Sequence, residues 1–261
     1  MAPADDSSAP RISSVRDFYD ELASQYDAMT GFEMRFERER PAFRSLVDRY
    51  RITRALDAGS GSGFHSVLLA QLGVEVSALD LSPEMVRLTL DNARKHDVNV
   101  MVFNVAFVDA PAEWDEGFDA VFVMGNSLPH LLSRDELSNA LARLIAVLRP
   151  GGILFMQCLN YEKILAERIQ ILNKKEANGI TIIRKYDYDS DGVMFSIVTQ
   201  TEGRSGKKEK RETVRLRPIL KDELTDLLRD LGAKAELFGS ITLEPFHPLK
   251  SADLVVLATK L

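Results

Sequence analysis

At 261 residues the chain can bury one large α/β core, alone or with an insertion. A net charge of −6, with lysines and arginines spread rather than blocked, argues against a nucleic-acid phosphate track or an anionic membrane surface and leaves a small molecule as the expected partner. The single cysteine, Cys158, excludes an internal disulfide and a cysteine metal cluster.

Residues 1–14 are polar, contain proline and lack an apolar leader core, so they are expected to form a disordered tail. No stretch reaches the ~18 apolar residues of a membrane span, and the expected location is cytoplasmic. His65, His96 and His247 are scattered without ligand spacing, and no metal is expected. Val15 to Met29 carries Phe18, Leu22 and Tyr26 at every fourth position and predicts a helix with an aromatic face. Phe32 to Tyr50 reads as a second helix interrupted at Pro41, so residues 15–50 form a helical cap ahead of the first strand.

Arg51 to Leu56 reads as a strand that stops at Asp57, and His65, Leu68, Leu69 and Leu72 recur at helical spacing. Between them runs Asp57-Ala58-Gly59-Ser60-Gly61-Ser62-Gly63. Glycines in a strand-to-helix turn let backbone N–H groups approach a ligand, so the turn reads as a nucleotide cradle. The G-x-G-x-x-G spacing of a dinucleotide site fails, because Phe64 and Ser66 stand where the third glycine belongs. A tight glycine turn beside an acid suits a ligand with an adenosine, no diphosphate and a cationic ammonium.

Val74 to Leu79 predicts a second strand ending at Asp80, about 20 residues past the glycine loop, where a carboxylate accepts ribose hydroxyls. Ser82 and Pro83 then cap a helix with Val86, Leu90 and Ala93 on one face. Asn99 to Phe103 and Phe118 to Met124 predict the third and fourth strands. The fourth ends in Gly125-Asn126-Ser127-Leu128-Pro129-His130, a polar run at the carboxyl edge of the sheet. Ser133 and Glu136 form a capping box, and the helix behind them stops at Arg149-Pro150-Gly151-Gly152. Ile153 to Cys158 is the fifth strand.

After Asn160-Tyr161 a helix to about Leu172 is expected, then strands over Gly179 to Tyr188, Met194 to Thr201 and Glu212 to Arg217, with turns at Ser190-Asp191-Gly192 and Gly203 to Lys208. Residues 173–219 thus form an antiparallel insertion placed over the crevice. A helix through Leu220 to Leu231 and strands at Lys234 to Leu237 and Asp253 to Ala258 close a single domain over 15–261. The fold class is α/β: a Rossmann-like, seven-stranded, mostly parallel sheet with helices on both faces and an inserted small antiparallel sheet.

From Arg51 to Leu261 these motifs resemble the class I S-adenosylmethionine-dependent methyltransferases. The Gly-Asn-Ser-x-x-His run, Asn160-Tyr161 and the insertion resemble their glycine N-methyltransferase group. The resemblance implies S-adenosyl-L-methionine as cofactor, with Ala58, Gly59 and Gly61 along its methionyl part, Asp80 on the ribose, and Ala106 and Phe107 flanking the adenine. It further implies Arg40 on the methionyl carboxylate, Tyr19 and Tyr26 closing the N-terminal side, and Met124, Ser127 and His130 touching the cofactor.

His130 and Asn126 are the candidate catalytic residues. His130 would take a proton or contact the cofactor or a backbone carbonyl, and Asn126 would face the acceptor. Tyr161, Arg184, Tyr186 and Tyr188 line the acceptor pocket or form cross-strand packing. The group's arginine ahead of the Asn-Tyr pair is Leu159 here, which weakens glycine as acceptor unless Arg184 or Arg217 supplies the charge. The acid usual at the end of the third strand is Val105, and Asp109 comes later. The expected reaction is methyl transfer to an amine nitrogen of a small molecule. A phenolic or sugar hydroxyl acceptor and a non-catalytic cofactor-binding or NAD-binding protein are the alternatives, and the oligomeric state is open.

Overall fold

Short apolar runs stopped by glycine, proline or an acid become strands when both faces are covered, and this chain repeats that pattern with helices between. The computed structural model describes residues 12–177, 180–190, 192–203 and 206–261. Helices α1 (Val15–Thr30) and α2 (Phe32–Tyr50) precede β1 (Arg54–Ala58), α3 (Phe64–Gln71), β2 (Glu75–Leu79), α4 (Pro83–Lys95), β3 (Met101–Phe103), β4 (Phe118–Val123), α5 (Arg134–Ala146) and β5 (Leu148–Leu159). Then follow α6 (Tyr161–Glu167), β6 (Ile171–Ala177), β7 (Ile180–Asp189), β8 (Gly192–Gly203), β9 (Gly206–Leu216), α7 (Lys221–Asp230), β10 (Ala233–Phe238) and β11 (Asp253–Lys260).

The main sheet has seven strands in the order β10-β11-β5-β4-β1-β2-β3. β3, β2, β1, β4 and β5 run parallel, while β11 lies antiparallel to both β5 and β10. The chain reverses direction across the sheet between β1 and β4, and crevices at parallel strands' carboxyl ends open at such a point. Apolar side chains from both faces build the core. On one face Leu137, Leu141, Leu144, Leu224 and Leu228 pack against Leu56, Val121 and Leu154. On the other, Phe43, Leu46, Phe64 and Leu68 pack against Phe122 and Phe155.

The insertion is a separate four-stranded antiparallel sheet in the order β6-β7-β8-β9. It buries Tyr186, Val193, Ile197, Val214 and Leu216 against Phe18, Leu22 and Met29 of α1 and against Tyr161 and Ile164 of α6. This third cluster holds the small sheet and the N-terminal helix together over the carboxyl edge. Among the described residues no helix is long and apolar enough to cross a membrane, and no group of three or more His, Cys, Asp or Glu residues is arranged to hold a metal ion.

Three expectations change. Helix α2 is continuous through Pro41. The proline sits on the exposed face and removes one ladder bond, while Phe36, Phe43, Leu46 and Val47 stay buried on both sides of it. The helix expected to reach Leu172 ends at Glu167, where Arg168 turns left-handed (φ 47°). Ile171–Ala177 instead pairs with β7, so the insertion has four strands, not three. The expected tail is attached where it is described: Ile12 bridges Thr213, Ser13 N–H donates to the Thr213 carbonyl (2.9 Å) and Ser14 caps α1. Residues 1–11 of that tail, Asp191 of one expected turn, and residues 204 and 205 of the other lie outside the described residues.

Asp119 at the start of β4 ties the strands together at the far edge from the crevice. Its Oδ2 accepts from Thr53 N (2.8 Å), Thr53 Oγ1 (2.7 Å) and Arg54 N (2.9 Å), and its Oδ1 from Arg149 Nε (2.6 Å). Burial alone would raise its carboxyl, but the bonds from Arg149 and Thr53 outweigh burial and hold it down at about 2. Its stabilisation is therefore present above the ordinary value of 3.8 and is lost as pH falls toward 2. Asp119→Ala is expected to lower unfolding free energy by about 1–3 kcal/mol at pH 7 with an unchanged urea m-value, and the difference from wild type should shrink in acid.

Candidate functional site

The glycine loop leaves β1 at Ala58 and enters α3 at Phe64. Gly59 and Ser60 N–H groups both donate to the Leu79 carbonyl (2.8 and 2.9 Å), which draws the loop across the end of β2. Gly59 has φ 76°, and a Cβ there would lie 2.9 Å from Ser127 Oγ. Gly63 has φ 82°, and a Cβ would lie 2.6 Å from Thr89 Cγ2. Both positions therefore require glycine for conformation and for space.

Asp80 closes the other side. Its Oδ2 accepts from Gly61 N–H (2.8 Å) and its Oδ1 from Ser82 N–H (2.9 Å). Burial pushes this carboxyl up to about 6, against the lowering effect of those two backbone bonds. Each oxygen keeps further lone-pair capacity toward the cavity it lines.

That cavity measures about 190 Å³ and lies between the glycine loop, the end of β2, the segment after β3 and the end of β4. Tyr19, Tyr26, Gly59, Gly61, Asp80, Ala106, Phe107, Met124, Ser127 and His130 all line it, so ten residues singled out in the sequence meet in one place. A second cavity of about 500 Å³ adjoins it under the small sheet and shares Tyr19, Tyr26, Arg35, Met124 and His130 as a common wall. Asn126, Arg184 and Tyr186 line the second cavity.

The shared wall is held by named bonds. Tyr19 Oη lies 2.9 Å from His130 Nε2. Burial drives the Tyr19 hydroxyl well above its ordinary range and the His130 imidazole down to about 4, so both are neutral at pH 7. His130 Nδ1 is buried without a partner. Gly125 N–H donates to Gln157 Oε1 (2.9 Å), and Gln157 Nε2 donates to Asp253 Oδ1 (2.9 Å), pinning the loop after β4 onto β5.

Several expected positions need correction. Arg40 does not reach either cavity; its guanidinium donates to Gln71 Oε1. Arg35 lines both cavities instead. Five residues apart on a helix means a rotation of about 140°, so the two arginines point to different sides. Ala58 is fully buried as the last residue of β1 and does not line the cavity. Asp57 likewise lies behind it, accepting from Ser66 Oγ (2.5 Å), rather than beside a ligand. Tyr161 is buried behind Asn126, accepting from its Nδ2 (3.1 Å), and is absent from the cavity wall. Arg217 donates to Glu223, outside the acceptor cavity. Tyr188 donates to the Ile169 carbonyl and does not line it either.

Asn126 has φ 70°, a left-handed conformation that asparagine tolerates better than most residues. Its Oδ1 accepts from Leu159 N–H (3.0 Å), so its side chain joins the loop after β4 to the end of β5 and to Tyr161. One amide proton remains for the cavity. Sequence reasoning also missed Glu39. Burial pushes its carboxyl up, but hydrogen bonds from His65 and Arg35 outweigh burial and hold it well below the usual range. No motif marks Glu39, Gln157 or Arg35. The i to i+4 pair Arg35–Glu39 reads as an ordinary surface pair until the fold buries it.

The residues present fit an adenosine-bearing ligand. The loop at Gly59 and Gly61 is bare of Cβ atoms, Asp80 offers a buried carboxylate for hydroxyls, and Leu81, Val105, Ala106 and Phe107 supply an apolar slot. Burial, which weakens the acid, and ligand binding then make opposite demands on Asp80. Without ligand, protonated Asp80 is the stabler buried form, so its favourable contribution is present below 3.8 and is lost as pH rises through about 6. A ribose is held best by the ionised form, so affinity for S-adenosylmethionine should rise over the same window. Asp80→Asn should weaken that affinity about 10- to 100-fold at pH 7.5 and flatten its pH dependence between 5 and 7, measured by calorimetry.

A methyltransferase-domain family model matches residues 55–152. The chain is 28% identical over 177 residues to a glycine/sarcosine N-methyltransferase of Aphanothece halophytica, covering 68% of this chain and 67% of that protein. It is 30% identical over 150 residues to the glycine/sarcosine N-methyltransferase of Parasynechococcus marenigrum, covering 58% of this chain and about half (53%) of that one. In fold it matches an S-adenosylmethionine-dependent methyltransferase from Clostridium acetobutylicum with a TM-score of 0.78 at 14% identity, covering 93% and 98% of the two chains. The chain carries a methyltransferase domain over residues 55–152, uses S-adenosylmethionine as cofactor, and resembles the class I S-adenosylmethionine-dependent methyltransferases and, within them, the glycine N-methyltransferase group.

Proposed function

We propose that the protein transfers a methyl group from S-adenosylmethionine to an amine nitrogen of a small-molecule acceptor. The observation that carries the reading is the pair of adjoining cavities with one shared wall: a nucleoside-sized site and a larger, aromatic-lined site separated by Tyr19, Tyr26, Met124 and His130. Bound S-adenosylmethionine supplies an electrophilic methyl on a sulfonium, so the protein's task is alignment and exclusion of water.

This chain's residues divide that task. Asp80 and the glycine loop hold the nucleoside end, while Arg35 offers the cation for its carboxylate. Asn126, Tyr186 and Arg184 present the acceptor from the other side. Tyr19 and His130, bonded to each other, form the rigid neutral wall that keeps bulk water from the transfer line. A neutral amine attacks through its own lone pair and releases its proton afterwards. A phenolic or sugar hydroxyl needs a base during attack, and His130, depressed to about 4 and engaged by Tyr19, is a weak one. The glycine/sarcosine N-methyltransferase relatives support the nitrogen reading.

The test combines methyl-labelled cofactor with panels of amines, amino acids, phenols and sugars, followed by mass analysis of products. N-methylated products are expected, at rates rising with pH as each acceptor's ammonium deprotonates. His130→Asn should slow transfer by no more than about tenfold. A phenol or sugar as the sole methylated product, with a loss above about a hundredfold in His130→Asn, would establish the oxygen-acceptor reading instead.

A further inference from the structure

One arginine of the wall shared by the two cavities is gripped from several sides. Arg35 of α2 lines both cavities, and its side chain is 20% exposed. Its guanidinium lies over the Phe64 ring, with Cζ 3.9 Å from the ring centroid. Its Nε donates to Glu39 Oε1 (2.8 Å) and its Nη2 to Glu39 Oε2 (3.2 Å), so one whole edge of the group is clasped. Nη2 also lies 3.2 Å from His65 Nε2, in the first turn of α3 behind the glycine loop. Nη1, by contrast, has no partner among the described residues.

Helix stability does not account for Glu39. An i to i+4 ion pair supports a helix best with the acid nearer the N-terminus, but here the base comes first and the carboxylate is 6% exposed. A carboxylate that deep is costly unless charged donors meet it. Besides Arg35, Glu39 accepts from Arg38 Nη2 (2.8 Å), and its Oε2 lies 3.3 Å from His65 Nε2. Arg38 also settles the local charge. Two guanidiniums and one carboxylate leave one net positive charge, so the clasp does not cancel the cation that Arg35 brings to the cavities. What the clasp removes is freedom. A mobile arginine gives up many rotamers when it grips a ligand, whereas a guanidinium fixed beforehand gives up few.

We propose that Glu39 is a positioning residue for cofactor binding: by clasping the Nε–Nη2 edge of Arg35 it fixes the guanidinium before any ligand arrives and leaves Nη1 for the carboxylate of S-adenosylmethionine. The inference rests on the assignment of Arg35 to that carboxylate above and adds what aims it. Glu39 acts only through Arg35, and no proton passes through it.

The experiment is calorimetric titration with S-adenosylmethionine and with decarboxylated S-adenosylmethionine, which differ only in the carboxylate. The wild type is expected to prefer S-adenosylmethionine by about tenfold or more, and Arg35→Gln to bind the two alike. Glu39→Gln should cut the preference about three- to tenfold, while the decarboxylated ligand binds within about twofold of wild type and so reports a folded variant. In an Arg35→Gln background, Glu39→Gln should have no further effect on the preference. The sign is diagnostic. Removing a negative charge beside the site would, by electrostatics alone, strengthen binding of a carboxylate, so positioning and plain charge predict opposite changes. A preference unchanged or increased in Glu39→Gln, or an equal loss for both ligands, overturns the proposal. Should Glu39→Gln not fold, NMR of the ligand-free wild type decides: resolved Arg35 Nη signals, from hindered rotation about the Nε–Cζ bond, are expected, and averaged signals overturn it. The two readings fail separately. A preference lost in Arg35→Gln but kept in Glu39→Gln sinks only this inference, whereas no preference in the wild type, or one that survives Arg35→Gln, sinks the assignment of Arg35 and this proposal with it.

Discussion

One buried carboxylate organises the site. Asp80 stands at the end of β2, and by accepting N–H bonds from Gly61 and Ser82 it joins the loop after β1 to the first turn of α4. The loop reciprocates through Gly59 and Ser60, both bonded to the Leu79 carbonyl, and Thr89 of α4 donates to the Gly61 carbonyl (2.9 Å). The protein keeps a carboxyl with an acidity shifted to about 6 because backbone donors partly compensate its burial. Such tension between stability and a polar binding role is common at functional sites.

The rest of the architecture follows from where that carboxylate lies. The crevice opens at the carboxyl ends of β1 and β4, so anything covering it must come from chain outside the βα repeat. α1 and the four-stranded insertion do this together, joined by the buried cluster of Phe18, Leu22, Tyr186 and Val214. Tyr19 projects from the covering helix to His130 on the sheet side, so one hydrogen bond spans the boundary between cover and scaffold. The first cavity is lined mainly by the scaffold, and the second by cover and scaffold together.

This division also explains what was legible. Gly59, Gly61 and Asp80 are close in sequence and obey spacing set by one βαβ unit, so a single chain segment carries the signal. The Ser133–Glu136 capping box and the Ser82-Pro83 helix start are equally local, and both form as read. Arg40 was misplaced because choosing among arginines on α2 depends on helix phase against the sheet, which the polar spacing there leaves open. The strand at Ile171–Ala177 was missed because its alternation is filled with lysine and glutamate and makes sense only beside β7. Asn126 was recognised by its motif, yet its left-handed backbone and its bonds to Leu159 and Tyr161 depend on where β5 ends. Arg35, Glu39 and Gln157 carry no sequence signature, since their roles arise from burial alone.

The account stands on the glycine loop and Asp80 forming a site for S-adenosylmethionine and not for a dinucleotide. Calorimetric titration of the wild-type protein with S-adenosylmethionine, S-adenosylhomocysteine and NAD tests this directly. The account predicts saturable one-site binding of both sulfur nucleosides and at least a hundredfold weaker binding of NAD. Binding of NAD as tight as that of S-adenosylmethionine would contradict it.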